Sequence, residues 1–525
     1  TLTVEIPAQK NASFTVNTGG AFIISGGNLN VNGNVYFADA SSFTQSGGTI
    51  TVDGNDAGNV ATSVASTVDI FAIGRNSTNS FSGTLNLTGG SIIIVDPHVH
   101  TIVGGGATNS GTAPGGNAFY FYSSNQAATS PNHTLQFGDG ISLDAGGNTA
   151  YGFSYNIWAG SGRLYAGNLI INTGSGVNRF VRPYWTGGVQ EDLTITSGEF
   201  RMQTTFYVAG DVINNGLFSN SSTLYLGTFL NATAGSSSVS QTLSGSGEFR
   251  NVVTGTTTAN MASLTINNTN ASGVTLTGYS SIAAQPTNSF SFSGTLNLIN
   301  GRVSMASSAI CVVGIATPTA GTLNITNGGF VNGTTLARWW TNGGTGTATT
   351  AGTDPSTQAG RYPFLNSSNE YRNAFLLRTT PTAGGLIALT YNEAAGTSSV
   401  SITDGAYTVN SRTNDSWTVS ALSGTPAAAA HVFSIVAPNA FGFPIASPSN
   451  VRVVQAASVV GTQQLGTTTP GGQRAGLSFA DLTSGAFHLG INSTEILTDT
   501  PDYVSLQWPP TTNIVQGGSG TVYGQ

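Results

Sequence analysis

Residues 82–90 read SGTLNLTGG, residues 293–301 read SGTLNLING, and residues 321–329 read GTLNITNGG. Looser copies stand at 24–31 (ISGGNLNV), 44–52 (TQSGGTITV) and 195–202 (ITSGEFRM). Each copy alternates apolar with small polar residues, breaks at glycine and alternates again. Alternation with period two is the pattern of a strand with one buried face. Glycine after Asn, Ser or Thr supplies the bend, because a positive φ costs it little. Strand, glycine corner, strand, repeated many times, is the sequence signature of a solenoid. Gly26 to Gly47 is 21 residues and Gly47 to Gly89 is 42, twice that. The expected fold is all-β: a right-handed parallel β-helix over residues 1–345, its period stretched by later insertions.

Composition limits the function. Of the 525 residues only 7% are charged, where ordinary soluble domains carry roughly a quarter. Mean hydropathy is nonetheless near zero, because Ser, Thr, Asn and Gly carry the polarity. Apolar residues make up 39% of the chain, and they alternate, so it folds. A net charge of −7 with 15 Lys plus Arg leaves no basic surface for nucleic acid or anionic lipid. The single cysteine, Cys311, shares a strand side with Ala309 and Val313 and reads as a small buried hydrophobe. No apolar run reaches the 18–20 residues or so of a membrane span, and Thr1 follows no charged-then-apolar leader. The expectation is a mature or trimmed piece of an exported protein.

Along the chain, residues 1–118 carry the cleanest repeats. Aromatics crowd residues 119–191 (AFYFYSS from 118, YGFSYNIWAG from 151, RFVRPYW from 179), which read as an insertion. The repeat returns over 192–335, and the Gly-, Thr- and Ala-rich residues 341–360 read as a linker. Beyond it, short runs between closely spaced Gly, Pro and Asn suggest a β-sandwich over 346–500. No stretch shows an amphipathic, capped helix. Residues 501–525 look like a linker or the start of a further module. Trp339 and Trp340 are expected near the junction that closes the last coil.

These phrases, with GNLIIN (167–172), RYPFLNSSNEYRNAFL (361–376), SGAFHLGIN (484–492) and LQWPPTTNIVQGGSGTVYGQ (506–525), resemble the large surface proteins of Bacteroidota. Such proteins are exported by the type IX secretion system and include adhesins linked to gliding. The resemblance implies a β-helix followed by a β-sandwich, further repeat modules and a C-terminal secretion signal. It brings no catalytic residues and no cofactor.

Three groups of residues are candidates for chemistry. Asp96, His98 and His100 in DPHVH project from one face of a strand, a spacing that holds a divalent metal, and His133 joins them only if coils align it. The plainer reading is a solvated strand end, since Pro97 suits an edge or corner. Acids for polysaccharide cleavage are scattered: Asp139, Asp144, Glu191, Asp192, Glu199, Asp211 and Glu248. A glycosidase needs two carboxyls roughly 5–10 Å apart, and the adjacent Glu191 and Asp192 face opposite sides of a strand. The third group is aromatic: Tyr151 and Tyr155 with Phe153, then Arg179, Arg182, Tyr184 and Trp185. Flat rings beside guanidinium donors suit sugars, whereas the same rings inside a wide coil are ordinary core. Asn-x-Ser/Thr triplets such as Asn11, Asn86, Asn132, Asn231 and Asn324 are as frequent as this composition makes them by chance.

The sequence therefore favours a non-catalytic extracellular module, a stiff spacer or adhesin segment on a bacterial surface. Its expected partners are other modules of the same long protein, neighbouring subunits or surface glycans. The competing reading is a β-helix protein that binds or cleaves carbohydrate through residues 119–185.

Overall fold

The computed structural model describes residues 2–4, 13–31, 33–52, 71–74, 81–95, 119–122, 127–128, 130–140, 152–158, 164–174, 180–183, 186–230, 233–253, 256–258, 260–278, 288–314, 321–343, 360–464 and 471–497. Strands account for nearly all of their regular structure, and the class is all-β. Up to residue 340 most strand pairings are parallel and fall into three ladders. In the first, Phe22 pairs with Phe43 and Phe43 with Leu85. In the second, Leu2, Leu29, Ile50, Ile92, Leu135, Leu169, Leu193, Val212, Leu243 and Leu276 are successive partners. The third begins with Ser13–Val16 on Asn34–Phe37 and runs through Phe71–Ile73, Phe119–Tyr122 and Gly152–Trp158 to Phe180–Pro183. The chain visits the ladders in the same order each time, first, second, then third, and several of the first-to-second corners carry glycine, as at Gly47, Gly89 and Gly167.

The step between second-ladder partners is 21 residues from Leu29 to Ile50 and 42 from Ile50 to Ile92. It shrinks to 24 from Leu169 to Leu193 and 19 from Leu193 to Val212. The short period is real, and long connections between strands stretch it elsewhere. The three LNL and LNI phrases behave as their alternation requires. Leu87, Leu296, Leu298, Leu323 and Ile325 are buried, and Leu85 packs against the core from a half-buried position. Leu296 pairs in parallel with Leu323, and Leu298 with Ile325.

Glycine is required at the corners for two reasons. Gly48 and Gly90 have φ of +77° and +85°, and each corner sits directly on the one before it. A Cβ on Gly90 would lie 2.5 Å from the Gly48 carbonyl oxygen. Gly90→Ala is therefore expected to cost about 1–3 kcal/mol from backbone strain alone, read as a lower urea midpoint at unchanged slope. A midpoint equal to wild type would show that the corners do not stack this way.

Inside, the rings of the first and third ladders meet in a column. Phe37 and Phe43 stack with centroids 4.3 Å apart, and Phe71 and Phe119 stack at 5.5 Å. The aromatic-rich residues 119–191 supply Phe119 to this column. Their described strands occupy places in the same ladders, because Phe119 and Phe121 continue the inward positions of Phe71 and Ile73. A second column runs through Phe200, Phe218, Phe249 and Phe290. Cys311 is buried, and desolvation raises its thiol above the ordinary range. Polar side chains also stack. Asn327 Nδ2 donates to Asn300 Oδ1 at 3.0 Å, Asn300 Nδ2 to Asn267 Oδ1 at 2.9 Å, and Asn267 Nδ2 to the Tyr225 hydroxyl at 2.8 Å.

After residue 361 the described pairings become almost wholly antiparallel. One five-stranded sheet contains Asn373–Pro381, Ala428–Val436 and Gly471–Leu477. Gly385–Asn392, Ser416–Gly424 and Phe487–Ile491 belong to the other. The two sheets meet at ring contacts such as Phe433 against Phe487, 4.7 Å apart. This second sheet is continuous with the parallel strands, because Thr335–Trp340 pairs in parallel with Ile310–Val313 on one side and antiparallel with residues 385–390 on the other. Trp340 is buried there and donates through Nε1 to the Tyr362 hydroxyl at 3.1 Å, while Trp339 is half-buried against Val312, Ala337, Leu386 and Ala388. One short capped helix does exist, contrary to the sequence expectation. In Phe479–Thr483, the Ser478 hydroxyl and Asp481 carboxylate close a capping box.

Candidate functional site

Charge is rare in this chain, so its concentration on one face matters. Residues 198–201 and 247–250 both read Gly-Glu-Phe-Arg. On a strand this puts Phe on one side and both charges on the other. In the third ladder Val181, Phe200, Phe218 and Phe249 point inward. The outward column beside them is Phe180, Glu199, Leu217 and Glu248, in that order of pairing. Next to it Arg201, Ser219 and Arg250 are partners, and Arg182 precedes Arg201 on the neighbouring strand.

The geometry within this strip is tight. Arg201 Nε donates to Glu199 Oε1 at 2.8 Å and its Nη2 to Oε2 at 2.7 Å. Its guanidinium carbon lies 3.9 Å from the centre of the Phe180 ring, a cation over an aromatic face. Arg250 Nη2 donates to Glu248 Oε2 at 2.6 Å. Arg182 is only 2% exposed. Burial, reinforced by the charge of Arg201, pushes its guanidinium down to about 10. The two glutamates sit two strands apart, about 9.6 Å at the usual strand spacing. Each is already held by its own arginine.

Asp192 and Asp211 are tied to the backbone. The Asp192 carboxylate accepts from the Asp211 backbone N–H at 2.7 Å, and Asp211 accepts from the Thr242 N–H at 2.8 Å. Burial, partly offset by the Thr242 bond, raises the Asp211 carboxyl, and the Asp192 charge raises it further. Side-chain oxygens at this corner thus cap the next strand's backbone, the task such groups perform at many turns.

No family model, curated protein or solved structure matches this chain. The site must be read from its own residues.

Of the residues singled out from sequence, Asp96, His98, His100, Tyr151, Arg179, Tyr184 and Trp185 lie outside the described residues. The backbone of Tyr155 lies in Gly152–Trp158, paired with Phe119 and Pro183. Arg182 is in the charged strip. His133 is buried in the second ladder, where its Nε2 lies 3.2 Å from Gln45 Oε1. Gln45 Nε2 donates to the carbonyls of Gly48 and Ser91, so its Oε1 accepts and His133 carries its proton on Nε2. Among the described residues no group of three His, Cys, Asp or Glu is placed to hold a metal. The repeated Gly-Glu-Phe-Arg phrase is the signal that would have located the strip from sequence.

Proposed function

We propose that residues 1–345 form a right-handed parallel β-helix, with a β-sandwich over 346–500 covering its C-terminal end. Together they serve as a non-catalytic extracellular scaffold, a stiff spacer or adhesin segment of a larger surface protein. The resemblance to exported Bacteroidota surface proteins belongs to the same reading. Three parallel ladders visited in fixed order support the architecture. One observation carries the functional part: four described acids of the candidate region are committed to structure. Glu199 and Glu248 are engaged by Arg201 and Arg250, and Asp192 and Asp211 by backbone N–H groups of the next strand. A carboxylate in those roles is a poor nucleophile, since taking it away from its partner costs stability.

The test is a reducing-sugar assay over a panel of neutral and acidic polysaccharides. No release above the buffer control is expected. Release that disappears in Glu199→Gln or Asp211→Asn would overturn the scaffold reading in favour of a carbohydrate-cleaving enzyme.

A further inference from the structure

The charged strip holds more guanidinium than carboxylate. Arg182, Arg201 and Arg250 stand beside Glu199 and Glu248, three positive charges against two negative, in a chain whose net charge is −7. Two groups at its centre are unanswered. Ser219 lies between Arg201 and Arg250 in the outward column and has no exposed surface, yet its hydroxyl has no hydrogen-bond partner in the protein. The buried Nε of Arg250, its paired residue on the next strand, has none either. A buried donor without an acceptor is costly, and here two stand on directly paired residues. Arg201 spends Nε and Nη2 on Glu199, and Arg250 spends Nη2 on Glu248, which leaves Nη1 of each arginine unused. The Arg201 and Arg250 side chains are 17% and 27% exposed, so both reach the surface.

We propose that this strip binds the carboxylate groups of an acidic polysaccharide, with Arg250, Ser219 and Arg201 as the seat. The reading rests on the adhesin branch of the proposed function and names its ligand. A uronate oxygen accepts from Arg250 Nε and from the Ser219 hydroxyl, which answers both orphaned groups. The strip already shows how it holds a carboxylate: Arg201 grips Glu199 through two N–H···O bonds of 2.8 and 2.7 Å. The planar acid of a uronic sugar matches a guanidinium in the same way. Leu217, half-buried between Glu199 and Glu248, offers an apolar contact to a sugar ring. Arg201 and Arg250 stand two strands apart, about 9.6 Å along the ladder, which suits acids recurring along a polymer better than one small anion. Arg182, only 2% exposed, adds charge without contact.

Calorimetric titration of the whole chain with a galacturonate oligomer tests this, beside a sulfated galactan oligomer and a neutral glucan oligomer. Saturable binding of the galacturonate is expected, tighter than that of the sulfated oligomer, absent for the glucan and weakened by salt. Arg250→Gln should bind about tenfold more weakly, the worth of a hydrogen bond to a charged group. Ser219→Ala should bind about threefold more weakly or worse, as a neutral hydrogen bond is lost. That variant separates binding from folding, because deleting an orphaned hydroxyl should leave its thermal midpoint at or above wild type. Glu248→Gln removes the competing carboxylate and should bind about threefold more tightly, the worth of an exposed ion pair given up. Absence of saturable binding, tighter binding of the sulfated oligomer, unchanged affinity in Ser219→Ala, or weaker binding by Glu248→Gln would each overturn the proposal. The scaffold reading survives any of these, since it fails only on release of sugar.

Discussion

Asp404→Ala is expected to lower the unfolding free energy by about 3–5 kcal/mol, the usual cost of orphaning a buried ion-pair partner. Arg474 is completely buried, and its Nη1 and Nη2 donate to the two Asp404 oxygens at 3.0 and 2.8 Å. Arg452 Nε lies 3.3 Å from Asp404 Oδ2, and its guanidinium carbon is 4.3 Å from the centre of the Tyr407 ring. One carboxylate therefore serves two guanidiniums. Its removal leaves both inside the protein, and Val453 O, which accepts from Arg474 Nε at 2.7 Å, is a neutral partner only. Asp404→Asn keeps the shape and one acceptor and should cost less than Asp404→Ala. Guanidinium denaturation of the two variants measures the difference. A loss below about 1 kcal/mol for Asp404→Ala, the size of a surface pair, would show that the cluster is solvated.

Stability should also fall on mild acidification, with His133 as the largest single contributor. Burial pushes its imidazole from 6.5 down to about 4. Between those values the unfolded chain binds a proton at this residue and the folded chain does not. Stability is thus fully present above pH 6.5, declines as the pH drops, and levels off below pH 4 for this group. The gap corresponds to about 3 kcal/mol at roughly 1.4 kcal/mol per pH unit. His431 and His488 are depressed in the same direction, mainly by burial, and add to the slope. Denaturation midpoints taken between pH 7 and pH 4 should fall less steeply for His133→Gln, by about one proton. Parallel curves for variant and wild type would rule out His133 as a source of the effect.

The strands of the repeat were legible because alternation and glycine are local signals. Leu87, Leu296 and Leu298 could be placed inward from three residues of context, and the corners from Gly-Gly alone. The aromatic stretch was not, because the ladders advance by 42 residues at one step and 19 at another. Phe119 finds Phe71 by position in the stack, which spacing along the chain does not reveal. The charged strip shows the same limit: the two Gly-Glu-Phe-Arg phrases lie 49 residues apart, with the uncharged Leu217-Phe218-Ser219 strand between them. The helix at Phe479–Thr483 carried a legible cap in Ser478 and Asp481, but five residues are too few to show a helical period. The distinction left open by sequence, aromatics in the core against aromatics in a groove, is answered for Phe119 and Phe121, which are core.

The antiparallel seam between Thr335–Trp340 and residues 385–390 has a consequence for how the molecule can be divided. Six backbone pairs, from Thr335 with Thr390 to Trp340 with Gly385, join the halves where many multidomain chains have only a tether. A cut in the Gly- and Thr-rich connection would leave a raw strand edge on both products, each seeking the other or a stranger. Melting should accordingly be shared. The two halves are expected to give a single calorimetric transition, and to be obtained in soluble form only when made as one polypeptide or expressed together.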